Sequence, residues 1–286
     1  MEVLGASLCL SDPRRRFVDL PPVRVLNPAF AVAEAVWILS GSDKPWIFEY
    51  NRRLAAYADD GRLRGAYGPR LRRWHGGTDQ LGRVRELLAV DPDTRRAVIQ
   101  LFDPGTDFAG YKDVPCTLGY RFFLRDGLLH MHTTMRSQDL WLGFCYDIFT
   151  ATLIQELLAG WVGAGLGCYC LQVDSLHLYV HDLPAARHLP GAAPSLAGAE
   201  LSVPWDGFDE LLSRVIAGGP VAAEGWAEIA GVMASYRSWK AGDRREARLI
   251  AARSPGIIAG ALRRWYDRLE QGSGSPGVPH RAGESR

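Results

Sequence analysis

Apolar residues recur at helical spacing through Phe30, Ala33, Trp37 and Ile38, behind a capping Asn27 and a first-turn Pro28, which predicts a helix from Asn27. Residues 45–57 and Asp79–Leu88 predict two more helices, with a Gly/Arg-rich loop over Gly61–Trp74 between them. Strands are expected at Ala97–Phe102, Tyr120–Phe123 and Leu128–Thr134, the last two joined through Arg125-Asp126-Gly127 as a hairpin. A long buried helix follows at Ile148–Val162, then a strand at Cys168–Leu178. The first 25 residues are short, basic and punctuated by proline. After Pro190 come Ala/Gly/Pro loops and Arg-rich helices to about Leu269, and Gln271–Arg286 is expected to be disordered. There is no strict βαβ alternation, so the pattern indicates a single α+β layered domain over residues 1–270.

Composition narrows this reading. The 286 residues are 47% hydrophobic and 23% charged, enough for a large core and against wholesale disorder. A net charge of +1 gives no bulk attraction to nucleic acid or membrane. The basic residues are arginine apart from Lys44, Lys112 and Lys240, which reads as GC-rich compositional bias with a secondary hint of planar anion recognition. The longest apolar run, Ile148–Gly167, is interrupted by Gln155 and Glu156 and falls short of the roughly 20 residues of a membrane span. Met1–Leu10 has no basic stretch before its apolar residues, so no secretory leader is expected. Five cysteines without framework spacing suggest a reduced, cytoplasmic chain, with Cys168 and Cys170 as core residues.

Candidate chemistry concentrates between Asp113 and Asp182. Pro115-Cys116 is followed by Arg136-Ser137-Gln138-Asp139, then Gly143-Phe144-Cys145-Tyr146-Asp147, then His177-Leu178-Tyr179; upstream lie Glu34, Tyr67-Gly68 and Arg95-Arg96. A lone Cys is most often a small buried hydrophobe, but a guanidinium such as Arg136 beside Cys116 would favour the thiolate, the nucleophilic form. Glu34 on an apolar helix is either an edge residue or a buried acid/base whose pKa burial raises. The Arg95-Arg96 pair is either a solvated strand end or an anion site.

Taken together and in order, these segments resemble the thymidylate synthase superfamily over residues 16–182, leaving 183–270 as a divergent helical part. The resemblance implies a thymidylate synthase-like mixed β-sheet flanked by helices, in a sheet-mediated homodimer with shared sites. It makes Cys116 the nucleophile toward C6 of a pyrimidine nucleoside monophosphate and Glu34 the acid/base, with Tyr67 in its polar network. Arg136, Ser137, Arg95 and Arg96 would bind phosphate, the arginine pair in the partner's site. His177 and Tyr179, expected on one face of a strand, would bind the sugar. Asp139 and Gly143 would serve the cosubstrate, 5,10-methylenetetrahydrofolate, and no metal is expected. The family's Arg-Thr-Gly phosphate loop has no match; Arg14, Arg15, Arg16 or Arg24 are substitutes, although a surface charge run is the simpler expectation for Arg14–Arg16.

Two departures bear on the product. Asp147 stands where thymidylate synthases carry Asn, and a carboxylate accepts from the cytosine amino group but opposes uracil O4. An N-cap before Ile148 is the other reading of Asp147. Asn51–Tyr57 lacks the family's Trp and no apolar closing tail is recognisable, which favours water adding to the transferred carbon. The expectation is therefore hydroxymethylation of CMP or dCMP, with thymidylate synthase-type methylation of dUMP or UMP as the alternative and a non-catalytic nucleotide-binding relative as the third.

Overall fold

The structure, a computed structural model, describes residues 1–189, 191 and 196–272. Its strands are β1 (Glu2–Leu10), β2 (Val98–Gln100), β3 (Thr117–Arg125), β4 (Leu128–Met135), β5 (Gln138–Asp139) and β6 (Gly165–His177). They form one mixed sheet in the order β1-β6-β4-β3-β2, with β5 also paired to β6. β4 and β5 run parallel to β6, and the remaining pairs are antiparallel. The helices are α1 (Pro28–Leu39), α2 (Ile47–Tyr50), α3 (Tyr67–Arg72), α4 (Gln80–Val90), α5 (Pro104–Asp107), α6 (Gly143–Trp161), α7 (Leu183–Ala186), α8 (Phe208–Ala217), α9 (Glu224–Lys240), α10 (Arg244–Arg253) and α11 (Ile257–Gly272). None of the described helices is long and apolar enough to cross a membrane.

The β3–β4 hairpin turns at Asp126 and Gly127, both with positive φ (52° and 73°), the conformation a two-residue turn requires. Asn27 caps α1 by accepting from Phe30 N at 3.2 Å. Every residue of α1 is buried except Glu34, which is half-buried. α6 carries two polar residues in an otherwise apolar run, and both are used internally. Gln155 donates to Leu129 O (2.9 Å) and Gly167 O (3.2 Å), tying the helix to β4 and β6. Glu156 accepts from Arg14, Arg16 and Leu201 N. Side chains of the C-terminal helices, Trp226 and Tyr266 among them, belong to the same buried core as α1 and α6.

Several expectations are corrected. Residues 2–10 form the edge strand β1, with Met1, Val3 and Leu4 exposed and Gly5 at φ 67° breaking its row. The alternation there buries so little that it carries no strand signal. The helix expected over 45–57 stops at Asn51, whose side chain caps a separate 3-10 turn at Arg52–Tyr57. The loop at Gly61–Trp74 contains α3. α6 begins at Gly143, five residues earlier than expected, so Asp147 lies inside the helix and is no N-cap. Of Arg14–Arg16 only Arg15 remains exposed, beside Asp12; Arg16 is 2% exposed and paired with Glu156, and Arg14 is half-buried against Glu156 and Glu200. Cys9 and Cys170, opposite one another in the β1–β6 register, form a disulfide, so these two thiols are not reduced here. Cys168 and Cys170 alternate with the buried Tyr169 and Leu171, placing them on the less buried face rather than in the core. The tail expected at 271–286 lies outside the described residues from 273 on.

Candidate active site

Cys116 immediately precedes β3 and is half-buried and free. Its peptide is fixed from two sides. The Tyr67 hydroxyl, at the start of α3, accepts from Cys116 N (3.2 Å) and Thr117 N (3.1 Å), while Cys116 O accepts from Arg136 N (2.9 Å) at the end of β4. The Arg136 guanidinium bonds Pro115 O (2.9 Å) and Val114 O (3.0 Å), the two carbonyls before the thiol. Asp113 in turn accepts from Gly65 N at 2.9 Å, holding the loop ahead of α3 to the nucleophile segment. Tyr67 thus braces the Cys116 backbone, whereas the sequence placed it in the Glu34 network.

The electrostatics differ from expectation at the thiol. Burial pushes the Cys116 pKa up, Arg136 opposes it, and Asp147 and Asp113 add to the rise. The nearby guanidinium alone does not make a thiolate, because desolvation outweighs it. Glu34 is raised well above the usual carboxylate range, by burial first and by Asp147 second. Asp147 is raised to about 6 by burial, with Gln138 pulling it down and Asp139 adding to the rise. Burial also raises Tyr67, and Asp147 adds to that rise. Cys116, Glu34, Tyr67 and Asp147 are therefore one electrostatically coupled group.

Asp139 on β5 leads into α6, with Oδ1 accepting from Trp141 N (2.8 Å) and Leu142 N (3.3 Å). Gly143 opens the helix where a Cβ would lie 2.8 Å from Gln138 Nε2. Ser137, half-buried, follows the exposed Arg136. His177 ends β6 and pairs with Asp139 of β5. Tyr179 falls beyond the strand and is 51% exposed; its ring meets His177 edge-on at 5.2 Å and stacks on His181 at 5.5 Å. The two rings are neighbours without the strand alternation that the sequence suggested. Arg95 and Arg96 are exposed, and Arg96 pairs with Asp91 at 3.2 Å. β2 sets Val98 opposite Arg121, and both arginines lie beyond Val98, roughly 20 Å along the sheet from Cys116 at about 3.3 Å per residue. They do not join the Cys116 cluster of their own chain.

One residue escaped the sequence reading and another takes a different part. Gln138, buried on β5, donates to Asp147 Oδ2 at 2.9 Å; its place inside a quoted motif was the available signal. Arg24, of which the sequence made only a substitute phosphate ligand, donates to Trp141 O from Nε (3.2 Å) and Nη2 (2.7 Å) and packs over that ring. Among the described residues no group of three or more His, Cys, Asp and Glu is arranged to hold a metal ion.

Deoxyuridylate hydroxymethyltransferase of Bacillus phage SP01 is 39% identical over 198 residues, covering 64% of this chain and 51% of the relative. The protein of that name from Delftia phage PhiW-14 is 35% identical over 185 residues, 59% of this chain and 50% of its own. A putative thymidylate synthase of Methanosarcina barkeri is 33% identical over 134 residues, 47% of this chain and 61% of its own. The chain spans about half the length of the phage relatives. The thymidylate synthase family model matches residues 14–203, which contain every site residue described above. The chain belongs to the thymidylate synthase family.

Proposed function

We propose that this protein transfers a one-carbon unit to C5 of a pyrimidine nucleoside monophosphate, where water completes it as a hydroxymethyl group that stays on the ring, with a cytosine nucleotide, CMP or dCMP, as substrate. The observation that carries this reading is the carboxylate of Asp147, inside α6 and coupled to Cys116 and Glu34, where an amide would be needed to read uracil. Cys116 adds through Sγ to C6, and the displaced π electrons make C5 nucleophilic. Glu34, its pKa raised well above the usual carboxylate range by burial, supplies and recovers a proton beside the ring. Tyr67 keeps the Cys116 peptide in place for the attack. Arg136 and Ser137 take the phosphate, and His177 and Tyr179 take the sugar.

The residues around Asp139 fit 5,10-methylenetetrahydrofolate. Leu140 and Leu142 are exposed apolar side chains flanking Trp141, and no described residue bonds Asp139 Oδ2, so an apolar ledge carries one available acceptor. An apolar surface with one acceptor suits a flat heterocycle that carries N–H groups. Bound there, the cosubstrate would supply the one-carbon unit.

A second subunit completes the phosphate site in this reading. One arginine leaves a phosphate dianion incompletely neutralised, and Arg95 and Arg96 lie too far from their own Cys116 to assist. A homodimer with shared sites would bring them to the partner.

Incubation with methylenetetrahydrofolate and each of CMP, dCMP, UMP and dUMP, read by mass spectrometry, tests the proposal. A gain equivalent to CH₂O on a cytosine nucleotide is expected. The names of the phage relatives favour a second reading, the same chemistry on dUMP, and a CH₂O gain on dUMP alone would replace the first. A methylated uracil product with dihydrofolate would indicate thymidylate synthase chemistry, and no turnover of any pyrimidine monophosphate would indicate a binding relative.

A further inference from the structure

Gln138 is 3% exposed, yet only one end of its amide is satisfied. Nε2 donates to Asp147 Oδ2 at 2.9 Å and makes a longer contact with Asp139 O at 3.4 Å. Oε1 is buried with no partner. Burying half an amide unpaired is unfavourable, and an aliphatic side chain of the same size would avoid it. The arrangement also depends on Gly143, since a Cβ there would crowd Nε2. The backbone thus leaves room for an amide whose only strong bond goes to Asp147.

We propose that Gln138 is a positioning residue that makes Asp147 a single-oxygen acceptor, so that the site reads the amino group of cytosine and rejects the carbonyl of uracil. This rests on the reading above, in which Asp147 faces the base. With Oδ2 engaged by Gln138, Oδ1 is the oxygen that no described residue bonds. An ionised Oδ1 accepts one N4–H of cytosine and meets uracil O4 lone pair to lone pair. A carboxyl released from Gln138 can take up a proton and offer an O–H beside a C=O, the pair that matches uracil O4 and N3–H. The Gln138 donor opposes that protonation. Of the groups around Asp147, Asp139 raises its pKa, while Glu34, Tyr67, Cys116, Tyr120 and Tyr169 are themselves raised by its charge.

The test measures kcat/KM for CMP and UMP, and for their deoxy forms, against pH in the full chain with methylenetetrahydrofolate. Gln138→Leu should lower the cytosine-to-uracil ratio at least about tenfold and move the acidic limb of the cytosine profile to higher pH. Gln138→Glu, nearly isosteric and so the safer variant for folding, should move both further in the same direction. Asp147→Asn is the reference. If Asp147→Asn shifts base preference while both Gln138 variants keep the wild-type ratio and limb, the role given to Gln138 is overturned and the base reading stands. If Asp147→Asn leaves base preference unchanged, or the wild type turns over uracil nucleotides only, the base reading itself is overturned.

Discussion

Replacing Asp147 by Asn should make the protein more stable, and only where the carboxylate would be ionised. Burial moves the Asp147 pKa from 3.8 to about 6. A raised pKa means the folded state holds the proton more tightly than the unfolded chain. The stability tied to that proton is present below pH about 4 and is lost as pH rises through 6. The whole displacement corresponds to about 3 kcal/mol, an upper value because the side chain keeps some access to solvent. Asn accepts the Gln138 bond through its own oxygen and carries no charge to desolvate. Its gain over wild type should therefore be about 0.5 kcal/mol at pH 4, about 1.5 kcal/mol at pH 5 and close to 3 kcal/mol at pH 8. For a chain of this size that is a rise in Tm of roughly 5–10 °C at pH 8. Glu34, held high partly by Asp147, relaxes in the same direction. Urea unfolding of both proteins at pH 5 and pH 8 measures the difference directly. A gain that is equal at the two pH values would place the effect in packing rather than charge, and no gain at pH 8 would refute the argument.

Four further outcomes are expected. Cys116→Ala should abolish turnover by several orders of magnitude and, by intact mass, leave no covalent nucleotide adduct, while a fully active variant would remove the nucleophile assignment. A Cys116→Ala chain mixed with an Arg95→Ala/Arg96→Ala chain should regain part of the lost activity after subunit exchange; absence of recovery despite verified exchange would assign the pair to its own subunit or to no site. Glu156→Ala, which strands the buried Arg16, should cost about 3–5 kcal/mol in chemical denaturation, and a loss under 1 kcal/mol would mean that Arg14, Arg16 and Glu156 are effectively solvated. Gly143→Ala should displace the Gln138 amide and cut kcat/KM by about tenfold or more with little change in Tm, a split that simple destabilisation would not give.

What the sequence disclosed depended on the range of the interaction involved. α1 was readable because its cap and apolar run are local, and its lone Glu34 stood out for the same reason. The hairpin was readable from Asp126-Gly127 alone. β1 was not, since its partner residues lie 159 to 175 positions away and little of it is buried. The start of α6 was misjudged because Leu142 offers no side-chain cap; Asp139, three residues earlier, satisfies Trp141 N and Leu142 N instead. At the site, order and spacing supplied candidate residues but not their hydrogen-bond partners. Tyr67 proved to hold the Cys116 peptide, and the influence of Arg136 on the thiol was outweighed by desolvation, a quantity that only three-dimensional packing sets. The Arg14–Arg16 run misled for the same reason, its counter-charge Glu156 being 140 residues distant from Arg16.

The edge strand β1 has a consequence for how the molecule behaves in company. Nine residues of backbone with exposed Met1, Val3 and Leu4 offer an unpaired row of donors and acceptors, the kind of border onto which a foreign strand can add. Gly5, at φ 67°, interrupts that row at its middle, where the register with β6 also skips a pair. A residue with a β-branched side chain would resist this conformation and favour a straighter border. Gly5→Val is therefore expected to give concentration-dependent light scattering from an otherwise folded protein, and a variant as monodisperse as the wild type would remove that role from Gly5.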